Sequence, residues 1–206
     1  MPNWNVHLEV AKRLNKKLRY RKDNLSLFLI GNIMPDINNC FIVKDISKRK
    51  NHNYTHFNDN TLFSYKVFYK KYKNYLNNPL ILGYFCHLYT DYIWSHNFYN
   101  EHKNRIEFKT LSRLKLKRLK QSDFKCYDDL YIKNTINIDN IDKILENITL
   151  IDRLSLTKED IIKVKKYLDN QKISNLNYNF YTKEELDKLL NKTIDKIEQF
   201  INKLEL

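Results

Sequence analysis

Only two glycines, Gly31 and Gly83, occur in 206 residues. A phosphate-binding loop of the dinucleotide or P-loop kind needs several glycines close together, so both are excluded. A turn-rich β-sandwich or barrel is disfavoured for a related reason, because its turns need many residues at φ > 0. Cysteine is also scarce. Cys40, Cys86 and Cys126 are an odd number with no Cys-x-x-Cys pair, which fits neither a disulfide framework nor a cysteine zinc ribbon. No run approaches the ~20 apolar residues of a membrane span. The longest, Leu27–Ile30, stops at Gly31. Residues 1–20 are charged and amphipathic, unlike a secretory leader. The expectation is a soluble, cytoplasmic chain.

What is present is apolar material and positive charge. The chain is 42% apolar, enough for a core, so wholesale disorder is excluded. Lys and Arg number 37 against 24 Asp and Glu, a net charge of +13. That excess suits a phosphoester, a nucleic acid or an anionic membrane surface without choosing among them.

Helical periodicity dominates. Leu186, Leu189, Leu190, Ile194, Ile197, Phe200, Ile201 and Leu204 recur at i, i+3, i+4 spacing. Thr182 with Glu185 is a capping box that starts this helix, and Thr157 with Asp160 marks another start. Residues 61–75 carry Leu62, Phe68, Tyr69, Tyr72 and Tyr75 on one stripe. Pro79 opens a segment running through Trp94, and residues 24–34 form a shorter apolar helix ended by Pro35. Residues 37–53, 100–109, 121–140 and 170–181 read as loops. The expected fold is all-α, one multi-helix domain over 1–206, with its chemistry in 1–98 and a packing region in 110–206.

All six histidines lie in the first half of the chain. His87 and Asp91 are one helical turn apart on one face of an apolar segment. Burying that pair requires partners or a metal. Imidazole and carboxylate are both ordinary zinc ligands. A plain core hydrogen bond between them is the alternative. His7 shares a stripe with Val10, Ala11, Leu14 and Leu18, so it faces the core as a ligand or as a structural histidine. Asp36 follows Pro35 at the end of a buried helix, where a turn aspartate is the other possibility. In Asn51–Phe57, His56 is the better candidate, and His52 reads as solvated because it follows Lys48, Arg49 and Lys50. A nitrogen–oxygen set without thiolate suits zinc, manganese or iron, and a carboxylate within it can bridge two ions.

An early His on the first helix, then Gly-Asn-Ile-Met-Pro-Asp, Thr-His-Phe, and Gly-Tyr-x-x-His-x-x-x-Asp-x-x-Trp, in that order over residues 1–98, resemble the zinc-dependent phospholipase C family. That family shares its helical fold with single-strand-specific nucleases. The resemblance implies a phosphoesterase with two or three zinc ions. It implies that Asp36, His56, His87 and Asp91 hold one ion, and that Asp91 bridges to a second held also by His7. Trp4 does not match the spacing of the family's N-terminal Trp. For a third ion His96 is an offset match, and His102 is followed by Glu107 five residues on rather than four.

The expected function is hydrolysis of a phosphoester, a phospholipid or a nucleotide, by metal-activated water. Asp36 would serve as ligand and as the base orienting that water. Lys48, Arg49 and Lys50 could steer an anionic substrate, or be a solvated loop. The rival reading is a non-catalytic basic module that binds nucleic acid or anionic lipid, with a structural metal or none. It rests on Lys109–Lys120, where Leu111, Leu114 and Leu119 alternate with Arg113, Lys115, Lys117 and Arg118.

Overall fold

The computed structural model describes residues 2–38, 50–58, 63–133, 136–138 and 140–204, the side chains at 98 and 99 apart. Cys40, Lys48, Arg49 and Leu62 lie outside the described residues. The fold is all-α, with no strand among the described residues. Eleven α-helices are described: α1 (Trp4–Leu18), α2 (Lys22–Gly31), α3 (Met34–Ile37), α4 (His52–Thr55), α5 (Ser64–Tyr72), α6 (Pro79–His102), α7 (Ile106–Thr110), α8 (Arg113–Asp128), α9 (Ile141–Ile148), α10 (Lys158–Asp169) and α11 (Lys183–Asn202). None is long and apolar enough to cross a membrane.

The starts follow the sequence closely. Thr182 and Glu185 form their capping box at α11, and Thr157 and Asp160 form theirs at α10. Asn78 accepts from the Leu80 N–H at 2.9 Å, and Pro79, with no N–H to satisfy, opens α6. At the other end of α1, Arg19 turns left-handed (φ 58°) and its N–H closes on Asn15.

α6 is the central post. Leu80, Ile81, Leu82, Tyr84, Phe85, Leu88, Ile93 and Trp94 are all buried, so the helix is apolar nearly all round. α1, α2, α3, α5 and α11 pack on it. The tightest crossing is with α2, where the only two glycines of the chain face each other, Cα against the other's missing side chain. A Cβ on Gly83 would lie 2.3 Å from the Phe28 carbonyl oxygen, and one on Gly31 would lie 2.3 Å from that of Leu80. The second half closes over the same post. Trp94 meets Phe124 edge-on at 4.9 Å, and Phe85 stacks on Phe200 at 4.5 Å.

Three expected loop and boundary assignments are corrected. Pro35 does not simply end a helix: it sits in the first turn of α3, where its fixed φ is compatible with helix. α6 runs eight residues past Trp94, to His102, and α7 occupies most of the rest of 100–109. Residues 121–128 are the end of α8, because Phe124 and Tyr127 bury fully one turn apart and outweigh the polar residues around them.

Candidate metal centre

Five side chains converge from four places in the chain. His7 comes from α1, Asp36 from α3, His56 from the residue after α4, and His87 and Asp91 from successive turns of α6. All but Asp36 are buried, and Asp36 is partly exposed. His56 Nε2 and His87 Nε2 are 3.2 Å apart. Asp91 Oδ2 lies 3.4 Å from the first and 3.3 Å from the second. Asp36 places Oδ1 3.5 Å from His56 Nε2 and Oδ2 3.9 Å from His87 Nε2. The other oxygen of Asp91, Oδ1, lies 3.4 Å from His7 Nε2.

The tautomers show what this arrangement offers a cation. The Nδ1–H of His87 donates to the Asn32 carbonyl at 2.7 Å, and that of His56 to the His52 carbonyl at 3.0 Å. A carbonyl can only accept, so in the neutral rings the proton is on Nδ1 and the Nε2 atoms present lone pairs. Two lone pairs at 3.2 Å repel unless something positive lies between them. With neutral imidazoles the cluster carries two buried or half-buried carboxylates, and an uncompensated charge of that kind is expensive. Both oxygens of Asp91 and both ring nitrogens of His7 are buried without a hydrogen bond.

The distances fit zinc. Ligand bonds of about 2.0–2.2 Å place neighbouring donors of a tetrahedron about 3.3–3.6 Å apart. Two overlapping groups could hold an ion: Asp36, His56 and His87, and His7, His87 and Asp91. Asp91 faces both. The Nδ1 bonds to backbone carbonyls are the outer contacts that commonly fix a metal-ligating imidazole.

The electrostatics of the metal-free cluster show the same strain. Burial, and then the neighbouring His87, pull His7 down to about 4. Burial also depresses His87, but the Asp91 charge 3.3 Å away outweighs it, and the net shift is upward. Asp91 is held well below the usual carboxylate range. Burial opposes this, but His87 and the three imidazole contacts prevail.

Two clefts reach the cluster. One of about 420 Å³ is lined by Trp4, Asp36, His52, Lys125, Asp128 and Tyr167, among others. Another, of about 240 Å³, is lined by His52, His56, Phe63, Asp91 and Tyr92. Asp36 therefore stands between the ring nitrogens and an open cleft.

The sixth residue singled out in the sequence is not brought in. His96 is exposed, stacks on Tyr92 and contacts Asn100. His102 is buried against the rings of Phe180 and Tyr181, and Glu107 is on α7. None of the three joins either group among the described residues. His52 corrects the expectation of a solvated side chain. It is half-buried, its ring stacks on His56 at 3.7 Å, and it lines both clefts. Asn32 acts through its backbone oxygen, which accepts from His87 Nδ1, so its side chain gives no sequence signal of that part.

An all-helical chain that gathers imidazoles and carboxylates at zinc-ligand spacing, with no thiolate beside them among the described residues, has the donor set of a helical nitrogen–oxygen metal site. A model of the zinc-dependent phospholipase C family matches residues 6–203, nearly the whole chain, and the chain belongs to that family. No curated protein and no solved structure matches it significantly.

Proposed function

We propose that the chain is a zinc-dependent phosphoester hydrolase of phospholipase C type. Asp36, His56, His87 and Asp91 hold one ion, and Asp91 and His7 hold a second. The observation that carries this is the pair of carbonyl-anchored imidazoles with Nε2 atoms 3.2 Å apart and Asp91 against both. Bound there, zinc supplies Lewis acidity toward a phosphoryl oxygen and lowers the pKa of water toward 7.

The chain's own residues do the rest. His56 and His87 cannot rotate without breaking their Nδ1 bonds, so their donor atoms are preorganised. Asp36 lines the larger cleft, where its carboxylate would orient the attacking water and take its proton. Trp4 and Tyr167, in edge-on contact at 5.5 Å, form an aromatic wall that excludes bulk water from one side. A purely structural ion would be closed off, and the cleft beside Asp36 favours the catalytic reading. Phospholipid is the favoured substrate class, in line with the family, with nucleotide esters next.

The test is metal content per chain by elemental mass spectrometry on untagged protein, with His87→Ala and Asp91→Ala alongside. It is followed by turnover of phosphatidylcholine and of a nucleotide diester, with and without chelator. Zinc lost in both variants, and turnover abolished by chelator, are expected. No metal after reconstitution would sink the reading. Nucleic-acid binding that is salt-dependent and metal-independent would then favour the rival module, whose exposed basic face is Arg113, Lys115, Lys117 and Arg118 on α8.

A further inference from the structure

His7 differs from the other two imidazoles of the centre. His56 and His87 are each tied to a backbone carbonyl through Nδ1, whereas neither ring nitrogen of His7 has a hydrogen bond. The His7 ring is held by stacking on His87, 4.0 Å between centroids and 12° from parallel, and by the helix that carries it. Its reach to Asp91 therefore depends on where the first turn of α1 is fixed.

That turn is not fixed by its own residues. Asn3 adopts the N-cap conformation but its side chain makes no cap hydrogen bond, and no acidic residue lies in the first turn. The exposed N–H groups of a helix start need an acceptor. Asp128, the last residue of α8, provides it from 122 residues away. Its Oδ1 accepts from the Val6 N–H at 2.9 Å, and its Oδ2 accepts from the Asn5 side-chain amide at 2.9 Å. Asn5 in turn donates to Gln171 at 2.5 Å. Asp128 is buried and also lines the larger cleft with Asp36. A carboxylate at a helix N-terminus is favoured by the helix dipole as well as by the hydrogen bonds.

We propose that Asp128 is a positioning residue of the metal centre: by capping α1 across the fold it sets His7 against Asp91, and so governs the ion held by those two. Its zinc readout rests on the two-ion reading above, and its second readout rests on geometry alone. It also gives the 110–206 half a part in the site beyond packing.

The experiment titrates zinc into the full chain against a chromogenic chelator, for the parent, Asp128→Ala, Asp128→Asn and His7→Ala. Histidine ring resonances are recorded by NMR on the metal-free proteins. Asp128→Ala is expected to weaken one of two zinc sites tenfold or more, as His7→Ala does, and to leave the other unchanged. A chain carrying both Asp128→Ala and His7→Ala is expected to lose no more than His7→Ala alone. Asp128→Asn, which keeps one acceptor for Val6, falls between and covers the case in which the alanine variant does not fold. In the metal-free proteins the His7 ring signals should move and those of His56 should not. If the parent binds no zinc but the His7 signals move, the hydrolase reading fails and the positioning role stands. Two unchanged zinc sites with unmoved His7 signals would overturn the proposal, even if the melting temperature falls. Equal weakening of both sites would also overturn it.

Discussion

Replacing Gly83 by alanine pits helix propensity against packing. In an ordinary helix interior the change is favourable by about 1 kcal/mol. Here the new Cβ would sit 2.3 Å from the Phe28 carbonyl oxygen, where ordinary contact begins at 3.4 Å. Helix α2 must therefore retreat from α6 by about 1 Å, the difference of those two distances. The same retreat stretches the Asn32 carbonyl from His87 Nδ1, now 2.7 Å, past the limit of a hydrogen bond. Overpacking of this kind costs about 1–3 kcal/mol, and an orphaned buried hydrogen-bond partner about as much again. The loss exceeds the propensity gain. A chain of this size changes its Tm by about 2–4 °C per kcal/mol, so Gly83→Ala should melt on the order of 10 °C lower. It should also bind zinc about 10–100-fold more weakly, since His87 loses the contact that orients it. Differential scanning fluorimetry with chelator present, and a competitive zinc titration, read the two effects separately. A variant that melts within 2 °C of the parent and binds zinc equally well would refute the close-crossing argument.

Three further outcomes are expected. Asp123 accepts the backbone N–H groups of Asn179, Phe180 and Tyr181 at 2.7 Å each, so Asp123→Ala should cost at least about 3 kcal/mol in a denaturant titration while leaving zinc affinity intact. An unchanged midpoint would show that those donors find other acceptors. His52→Ala removes the ring stacked on His56 but keeps the backbone carbonyl that orients it, so zinc affinity should fall less than in His56→Ala. Equal losses would mean the stack, not the carbonyl, fixes His56. Burial pushes the Asp128 carboxyl up to about 7 against the Val6 and Asn5 donors and the nearby Lys125 ammonium, with the Tyr167 phenol also at hand. A folded pKa above the unfolded one stabilises below the unfolded value, near pH 4, and the benefit is lost as pH rises through 7. Melting temperature measured in chelator from pH 4 to 8 should show that slope in the parent and a shallower one in Asp128→Asn. Parallel curves would contradict the shift.

Local signals were legible and long-range ones were not. The capping boxes at Thr157 and Thr182 and the Asn78–Pro79 start could be read because all their atoms lie within four residues. His87 and Asp91 could be placed on one face because helical spacing settles it. Adding His7, Asp36 and His56 needed the order of motifs along the chain, and the structure brings those five together. His96 shares α6 with His87 and Asp91, but five residues beyond Asp91 it stands on the opposite face, where it is exposed. The basic neighbours of His52 point to solvent, because nothing local announces that His56 will stack on it. Asp128 carried no signal at all. Its partners are Asn5 and Val6, and no periodicity links residue 128 to residue 5. The polar look of 121–128 hides two fully buried aromatics, which pack against Trp94 from α6 and against Tyr181 and Asp187 from later in the chain.

The capping of α1 by Asp128 bears on the order in which the molecule is assembled. α1 is made before the other described helices, yet besides α2 and α6 it packs on α8 and α11, and Arg13 reaches Asn191 near the far end of the described chain. Contacts of such sequence separation close late, because the loop entropy must be overcome before they form. The donors from α3, α4 and α6 need only the first hundred residues and can meet while synthesis continues. The α8 and α11 contacts of α1 then close last, and pulse-labelled amides in the first turn of α1 should gain protection after those in α2 and α6. The reverse order would show that the first helix waits for nothing downstream.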